Sequence, residues 1–173
     1  MGNHEPDVVN MYPPEELWGQ FDLSWMYSNV SKPFEKWLGA EQLSTFKKGG
    51  YYTLVPEPGL RLVVLNTNIC YLNNFWLAYS PEDPNGQLQW FSDTMFQAER
   101  EGSNVIIIGH ISPGSGSCWP VWSEKFNAIV QRFENIVRGQ FYGHAHTELY
   151  VIPFEKGKRL QAISHFHENC DFI

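Results

Sequence analysis

The chain has 173 residues, of which 43% are hydrophobic and 18% are charged, and this composition is typical of one globular domain with a sizeable core. Its formal net charge of −7, without a cluster of Lys and Arg, argues against a nucleic-acid-binding protein, which needs a basic surface. No apolar run approaches the roughly 20 residues of a transmembrane helix, and the polar opening Met1–Glu5 predicts that this chain carries no signal peptide.

The sequence pattern of the first part of the chain predicts short helices, interrupted by prolines and glycines. Residues 6 to 50 contain Pro13-Pro14, a helical segment around Leu23–Ser28, and a helix over Ala40–Lys47 that Gly49-Gly50 ends. Within this region Asn29 opens the triplet Asn-Val-Ser, which accepts an N-linked glycan if the protein is secreted.

The remainder alternates buried strands with amphipathic helices. The predicted elements are strand Leu60–Asn66, helix Gln87–Arg100, strand Val105–Ile108, helix Ser123–Arg138, a strand beginning at Gln140–Tyr142, and a hairpin of Leu149–Phe154 with Arg159–Ser164. Helix Ser123–Arg138 has the clearest pattern, since its apolar residues keep a spacing of three or four as far as Val137. This order predicts an α/β layered domain that binds ligands at the carboxyl ends of its strands.

Polar side chains that bind metals follow two of these strands. His110 comes after Gly109 at the end of the second strand, and His144 and His146 follow Gly143 at the end of the third. Asn3 and His4 form a further pair at the start of the chain. Imidazole nitrogens and an amide oxygen suit Zn²⁺, Fe or Mn²⁺, and a His-x-His loop can direct two imidazoles towards two adjacent ions.

The order of these three motifs resembles the second half of the signature of calcineurin-like metallophosphoesterases. Within that superfamily the chain is similar to acid sphingomyelinase and its relatives, from residue 2 to about residue 160. Five further stretches carry this resemblance: 65–70 (LNTNIC), 74–76 (NFW), 83–90 (DPNGQLQW), 108–114 (IGHISPG) and 140–144 (QFYGH).

The resemblance implies a role for each residue of the predicted site. Asn3, His110 and His144 would bind one zinc ion, His146 would bind a second, and His4 would act in catalysis beside them. Two ions together polarise the phosphate and supply a hydroxide for in-line attack. The resemblance also implies a disulfide between Cys70 and Cys118.

The family pattern requires two acidic motifs, Asp-x-His and Gly-Asp-x-x-Asp, which this sequence does not contain. We therefore expect the chain to be the C-terminal part of a metallophosphoesterase domain, over residues 1–160, with a divergent tail over 161–173. At most one well-formed metal site is expected, so the isolated chain should be inactive.

The leading hypothesis is a secreted or lysosomal zinc phosphodiesterase that hydrolyses sphingomyelin to ceramide and phosphocholine, with a phospholipid substrate that it meets at a membrane surface. Phe75 and Trp76 could hold the choline group by a cation–π contact, or simply pack. One alternative is a related nucleotide phosphodiesterase. The other is a non-catalytic remnant that binds a metal or a partner without turnover.

Overall fold

The computed structural model describes residues 1–80 and 82–148, and four short strands within 150–166. Short 3-10 segments, among them Thr67–Cys70 and Phe75–Ala78, connect several elements. The α-helices are α1 Trp18–Phe21, α2 Ser24–Ser31, α3 Ala40–Gly49, α4 Gln87–Glu101 and α5 Pro120–Arg132.

Six of the described strands form one mixed sheet in the order β1-β2-β3-β4-β8-β5, and β6 and β7 pair separately. The strands β2, β3, β4 and β8 run parallel to one another, whereas β1 and β5 are antiparallel to them at the two edges. Their bounds are β1 Tyr52–Glu57, β2 Leu60–Val64, β3 Asn104–Ile108, β4 Val137–Tyr142, β5 Tyr150–Val151, β6 Phe154–Glu155, β7 Lys158–Arg159 and β8 Ser164–Phe166.

The predicted α/β class is confirmed, and so are most of the helices. Helix α3 ends as expected, because Gly50 takes the left-handed conformation at φ 73° and donates its N–H to the carbonyl of Phe46. Helix α4 ends in the same way at Gly102, which has a φ of 67°. The predicted apolar face of α4 is buried, consisting of Leu88, Phe91, Met95 and Ala98.

The predicted helix Ser123–Arg138 is wrong at its C-terminal end. Helix α5 stops at Arg132, and Val137 already belongs to strand β4, where it pairs with Val105. Phe133 and Val137 are both buried and lie four positions apart, which is the spacing of one helix face. Phe133, however, lies in a turn and Val137 in a strand. Strand β1 was not predicted at all.

Helices α4 and α5 pack together beside the central strands. The Phe91 and Phe126 rings stack with their centroids 5.3 Å apart, and Trp122 stacks on Phe126 at 5.7 Å. All three rings are fully buried. Burial of aromatic groups of this size is the main source of stability available to this layer.

The sheet brings three strand ends to the same edge. Strands β2, β3 and β4 are neighbours and parallel, so the residues that follow their carboxyl ends lie side by side. These residues are Thr67 after β2, His110 after β3 and His144 after β4.

The C-terminal segment is described only in part. Strands β6 and β7 form an antiparallel pair on either side of the predicted hairpin turn, and Val151 of β5 pairs with Ser164 of β8. The residues of the predicted hairpin between these strands lie outside the described residues. Strand β8 lies beyond residue 160, so the predicted division into a domain over 1–160 and a tail over 161–173 stays a prediction. No helix in the described part of the chain is long and apolar enough to cross a membrane.

Candidate metal centre

Three of the predicted ligands converge at the carboxyl edge of the sheet. The Oδ1 atom of Asn3 lies 2.9 Å from Nε2 of His110 and 3.2 Å from Nδ1 of His144. The two imidazole rings meet edge to face, with their centroids 5.2 Å apart. One amide oxygen and two imidazole nitrogens, contributed by positions up to 141 residues apart in sequence, therefore surround one point.

The loop that carries Asn3 is closed by its own asparagines. Asn3 donates its side-chain N–H to Oδ1 of Asn10 over 2.8 Å, and the backbone N–H of Asn10 donates to the carbonyl of Asn3 over 2.9 Å. The hydroxyl of Tyr12 also donates to the carbonyl of Gly2. Because the amide nitrogen of Asn3 is occupied by Asn10, its oxygen is left to face the histidines.

Thr67 holds the backbone at His110, although sequence reasoning did not select it. Its buried Oγ1 accepts hydrogen bonds from the backbone N–H groups of His110 and Ile111, at 2.9 and 2.7 Å. Gly109 packs so closely here that an added Cβ would lie 2.9 Å from Thr67 and from Tyr142. The available signal in the sequence was a small hydroxyl residue just after a buried strand, which is common and therefore weak.

The His-x-His loop takes an unusual backbone conformation. His144 and His146 have positive φ angles of 70° and 53°, in the left-handed region that costs a non-glycine residue roughly 1–2 kcal/mol. The loop is anchored by Gly143, whose N–H donates to the carbonyl of His110, and by Tyr71, whose ring touches that of His144 edge-on. Strained backbone of this kind is frequent at functional sites.

Burial favours the neutral form of the two central imidazoles. It lowers the pKa of His110 to about 4, with smaller contributions from His144, the amino terminus, His146 and His4. Burial also lowers the pKa of His144, followed by the effects of His146 and His4. His4 and His146 are exposed, yet they lie within electrostatic reach of both half-buried rings.

The donor set fits part of a metal site. A neutral imidazole can offer a nitrogen lone pair to a metal ion, and the Asn3 oxygen adds a third donor at the same point. Among the described residues, however, no group of three or more His, Cys, Asp or Glu side chains could hold a metal ion. Zinc takes four ligands in structural sites and three protein ligands plus water in catalytic ones, so these donors suit one ion and lack an acidic ligand.

The structure forms the predicted disulfide between Cys70 and Cys118, whose Cα atoms are 5.0 Å apart. It joins the loop after β2 to the loop after His110, and the carbonyl of Cys70 also accepts a hydrogen bond from the backbone N–H of Trp119.

The other predicted residues lie elsewhere. Asn29 is exposed on helix α2, and Phe75 is 77% exposed, whereas Trp76 packs against Phe21.

The chain matches the family model described as calcineurin-like phosphoesterase over residues 1–148. It is 44% identical over 156 residues to proteins named sphingomyelin phosphodiesterase from Bos taurus and Homo sapiens, and the match covers 90% of this chain. It is 32% identical to a cyclic GMP-AMP phosphodiesterase of Mus musculus, over 94% of this chain and 37% of that one. The chain spans about a quarter of the length of the two sphingomyelin phosphodiesterases, 25% and 24%.

Among solved structures, the fold is similar to that of a dimetal phosphatase from Danio rerio. The TM-score is 0.57 at 13% sequence identity, and the superposition covers 91% of this chain and 56% of that one. At this identity the comparison establishes the fold alone.

Proposed function

The chain belongs to the calcineurin-like phosphoesterase family, within its acid sphingomyelinase branch, and we propose that it contributes to a zinc phosphodiesterase that hydrolyses sphingomyelin to ceramide and phosphocholine. Its membership confirms the resemblance that the motifs predict, and it implies metal ions at the site. The observation that carries the proposal is the convergence of Asn3, His110 and His144 on one point at the sheet edge.

Each residue has a proposed role in this reaction. Asn3, His110 and His144 hold one zinc ion, and His146 belongs to the ligand set of a second. Metal ions bound here supply positive charge against the phosphoryl oxygens of the substrate. His4, which is exposed next to these ligands, donates a proton to the leaving oxygen. The left-handed backbone at His144 and His146 supports this assignment, because it fixes the directions of both rings.

Sphingomyelin is favoured over a nucleotide substrate by the degree of similarity. The chain is 44% identical to the sphingomyelin phosphodiesterases and 32% identical to the cyclic GMP-AMP phosphodiesterase. A secreted or lysosomal location is part of the same proposal, and we expect the lipid to be met at a membrane surface. The disulfide between Cys70 and Cys118 supports an oxidising compartment, and the exposed Asn29 could carry a glycan there.

Metal binding is tested on the chain itself with Co²⁺, whose visible absorption reports ligand number. We expect Asn3→Ala, His110→Ala and His144→Ala each to weaken binding at least about tenfold. The matched control is Asn104→Ala, at the opposite end of the strand that precedes His110. Equal Co²⁺ affinity in all four variants would overturn the assignment of these ligands.

The substrate is tested in a chimera, in which this chain replaces the corresponding 156 residues of the Bos taurus sphingomyelin phosphodiesterase. The surrounding protein then supplies the three quarters of that chain which the 156 residues do not span. We expect release of phosphocholine from sphingomyelin, no comparable hydrolysis of a cyclic dinucleotide, and loss of activity on His144→Ala. A chimera that binds zinc and unfolds cooperatively, yet leaves sphingomyelin intact, would refute the proposed function.

A further inference from the structure

A cavity of about 330 Å³ opens beside the loop that carries Asn3. Four residues of that loop line it, together with Phe21, Asp22 and Trp76; the four are Asp7, Val8, Met11 and Pro13. Its volume falls in the range of small-molecule sites. None of the residues that line it has been assigned a role in the proposed metal centre.

The cavity has an aromatic corner. The rings of Phe21 and Trp76 lie with their centroids 4.9 Å apart and their planes inclined at 54°. Phe21 remains 48% exposed, so this pair is not sealed into the core. Both rings line the cavity, and the electron-rich face of an aromatic ring attracts cations, especially those with an apolar surface.

The charged residues of the lining also favour a cation. Two carboxylates, those of Asp7 and Asp22, line the cavity, and none of the described residues in the lining is Lys, Arg or His. Ser24 donates both its N–H and its hydroxyl to Asp22, which lowers the pKa of that carboxyl and keeps it ionised. No hydrogen bond or ion pair joins the Asp7 carboxylate to another described residue. The described lining therefore carries a net negative charge, which is electrostatically complementary to a cationic ligand.

We propose that this cavity, formed by Asp7, Phe21, Asp22 and Trp76, binds an organic cation of the trimethylammonium type. Val8 and Met11, which also line the cavity, can pack against the methyl groups of such a cation. A small inorganic ion would have to lose part of its hydration shell beside these apolar side chains, which is energetically unfavourable. The pair that binds is therefore Trp76 with Phe21, and not Trp76 with Phe75, which does not line the cavity.

The cavity is joined to the metal centre by a short closed loop. Asn3 and Asn10 pair at the neck of this loop, so Asp7 and Val8 project from the same structural unit that places Asn3 among the histidines. We extend the proposal to a substrate whose phosphate binds at the metal centre and whose positive head group occupies the cavity. That this cation is the substrate's head group rests on the proposed function, whereas cation binding by the cavity does not.

The cation is tested with choline and with 3,3-dimethylbutan-1-ol, which has the same shape without the charge. Saturation-transfer NMR on the methyl protons, titrated with each compound, gives their affinities for the chain 1–173. We expect choline to bind about tenfold more tightly than the neutral alcohol, which is the size of effect that a partly desolvated cation–π contact gives. Equal affinities, or no transfer to choline, would overturn the proposal without any need for a variant.

Variants then locate the binding site. Trp76→Leu should weaken choline binding about fivefold and Asp7→Asn about threefold. The matched controls, Phe75→Leu and Glu134→Gln, change an exposed neighbouring ring and an exposed carboxylate, and both should leave the affinity unchanged. An affinity that responds to the controls but not to Trp76→Leu would place the cation elsewhere and refute the site.

Phosphocholine distinguishes a substrate head group from a free cation. In the presence of Zn²⁺ we expect it to bind more tightly than choline, and His144→Ala should remove that gain without changing the affinity for choline. If phosphocholine gains nothing over choline, the link to the proposed substrate is refuted while the cation site stands. If choline fails to bind but the chimera hydrolyses sphingomyelin, the cavity proposal is wrong and the proposed function stands.

Discussion

Replacing Thr67 by valine tests how the fold positions the candidate site. Valine has almost the same shape as threonine but lacks the hydroxyl that accepts hydrogen bonds from the N–H groups of His110 and Ile111. Thr67 is completely buried, so water cannot take over this role. The substitution leaves two buried backbone donors without a partner, directly beside a proposed metal ligand.

The expected magnitude follows from these two hydrogen bonds. A buried donor left without its acceptor costs about 1–3 kcal/mol, so the pair costs about 2–6 kcal/mol. The added methyl group returns about 1 kcal/mol of apolar burial. We therefore expect Thr67→Val to lower the free energy of unfolding by about 1–5 kcal/mol, whose upper half is a large part of the total stability of a domain of this size.

Urea unfolding followed by tryptophan fluorescence measures this change, and Co²⁺ absorption measures the accompanying loss of metal affinity, expected to be about tenfold. Thr67→Ser is the matched control, because it keeps the acceptor and loses only a methyl group, worth about 1 kcal/mol. If Thr67→Val were no more destabilising than Thr67→Ser, the hydroxyl would not hold the backbone at His110, and the reasoning would be wrong.

Three further outcomes are expected. Gly109→Ala should destabilise the fold and weaken Co²⁺ binding, because the new methyl group would lie 2.9 Å from Thr67, and an unchanged urea midpoint would contradict this. Reduction of the disulfide, or Cys70→Ser, should lower the free energy of unfolding by about 4 kcal/mol, because the bond closes a loop between cysteines 48 positions apart. Urea unfolding with and without reductant measures this change. In the metal-free chain, an NMR titration should give a pKa of about 4 for His110. The folded state then loses stability as the pH falls from about 6.5 to about 4, because the unfolded chain binds the proton first. A titration midpoint near pH 6.5 would refute the burial of this imidazole.

The sequence alone determined the strongly periodic elements and the chemistry at the strand ends. Helices α3 and α4 were predictable because an apolar face and a terminating glycine lie within one short segment. The histidines stood out because Gly-His and Gly-His-x-His follow apolar strands, whose carboxyl ends meet at one edge of a parallel sheet. The disulfide was inferred from family resemblance and could not have been derived from the spacing of the cysteines.

Other features depend on contacts between distant parts of the chain. Strand β1 is an edge strand that contains Pro56 and a shift in register, both of which weaken a strand pattern. The end of α5 is decided by the pairing of β4 with β3, which overrides a helical periodicity that runs on to Val137. In both places tertiary pairing set the secondary structure, and a local pattern could not reveal it.

The finer geometry of the site was decided only by the tertiary structure. The positive φ angles at the site fall on His144 and His146, and Gly109 is required by close packing against Thr67. Phe21 and Trp76 share a cavity although 55 positions separate them, a juxtaposition that no local pattern encodes. Residue types and their order specify which groups are available for chemistry, whereas distances and burial, which determine what those groups can bind, exist only once the chain has folded.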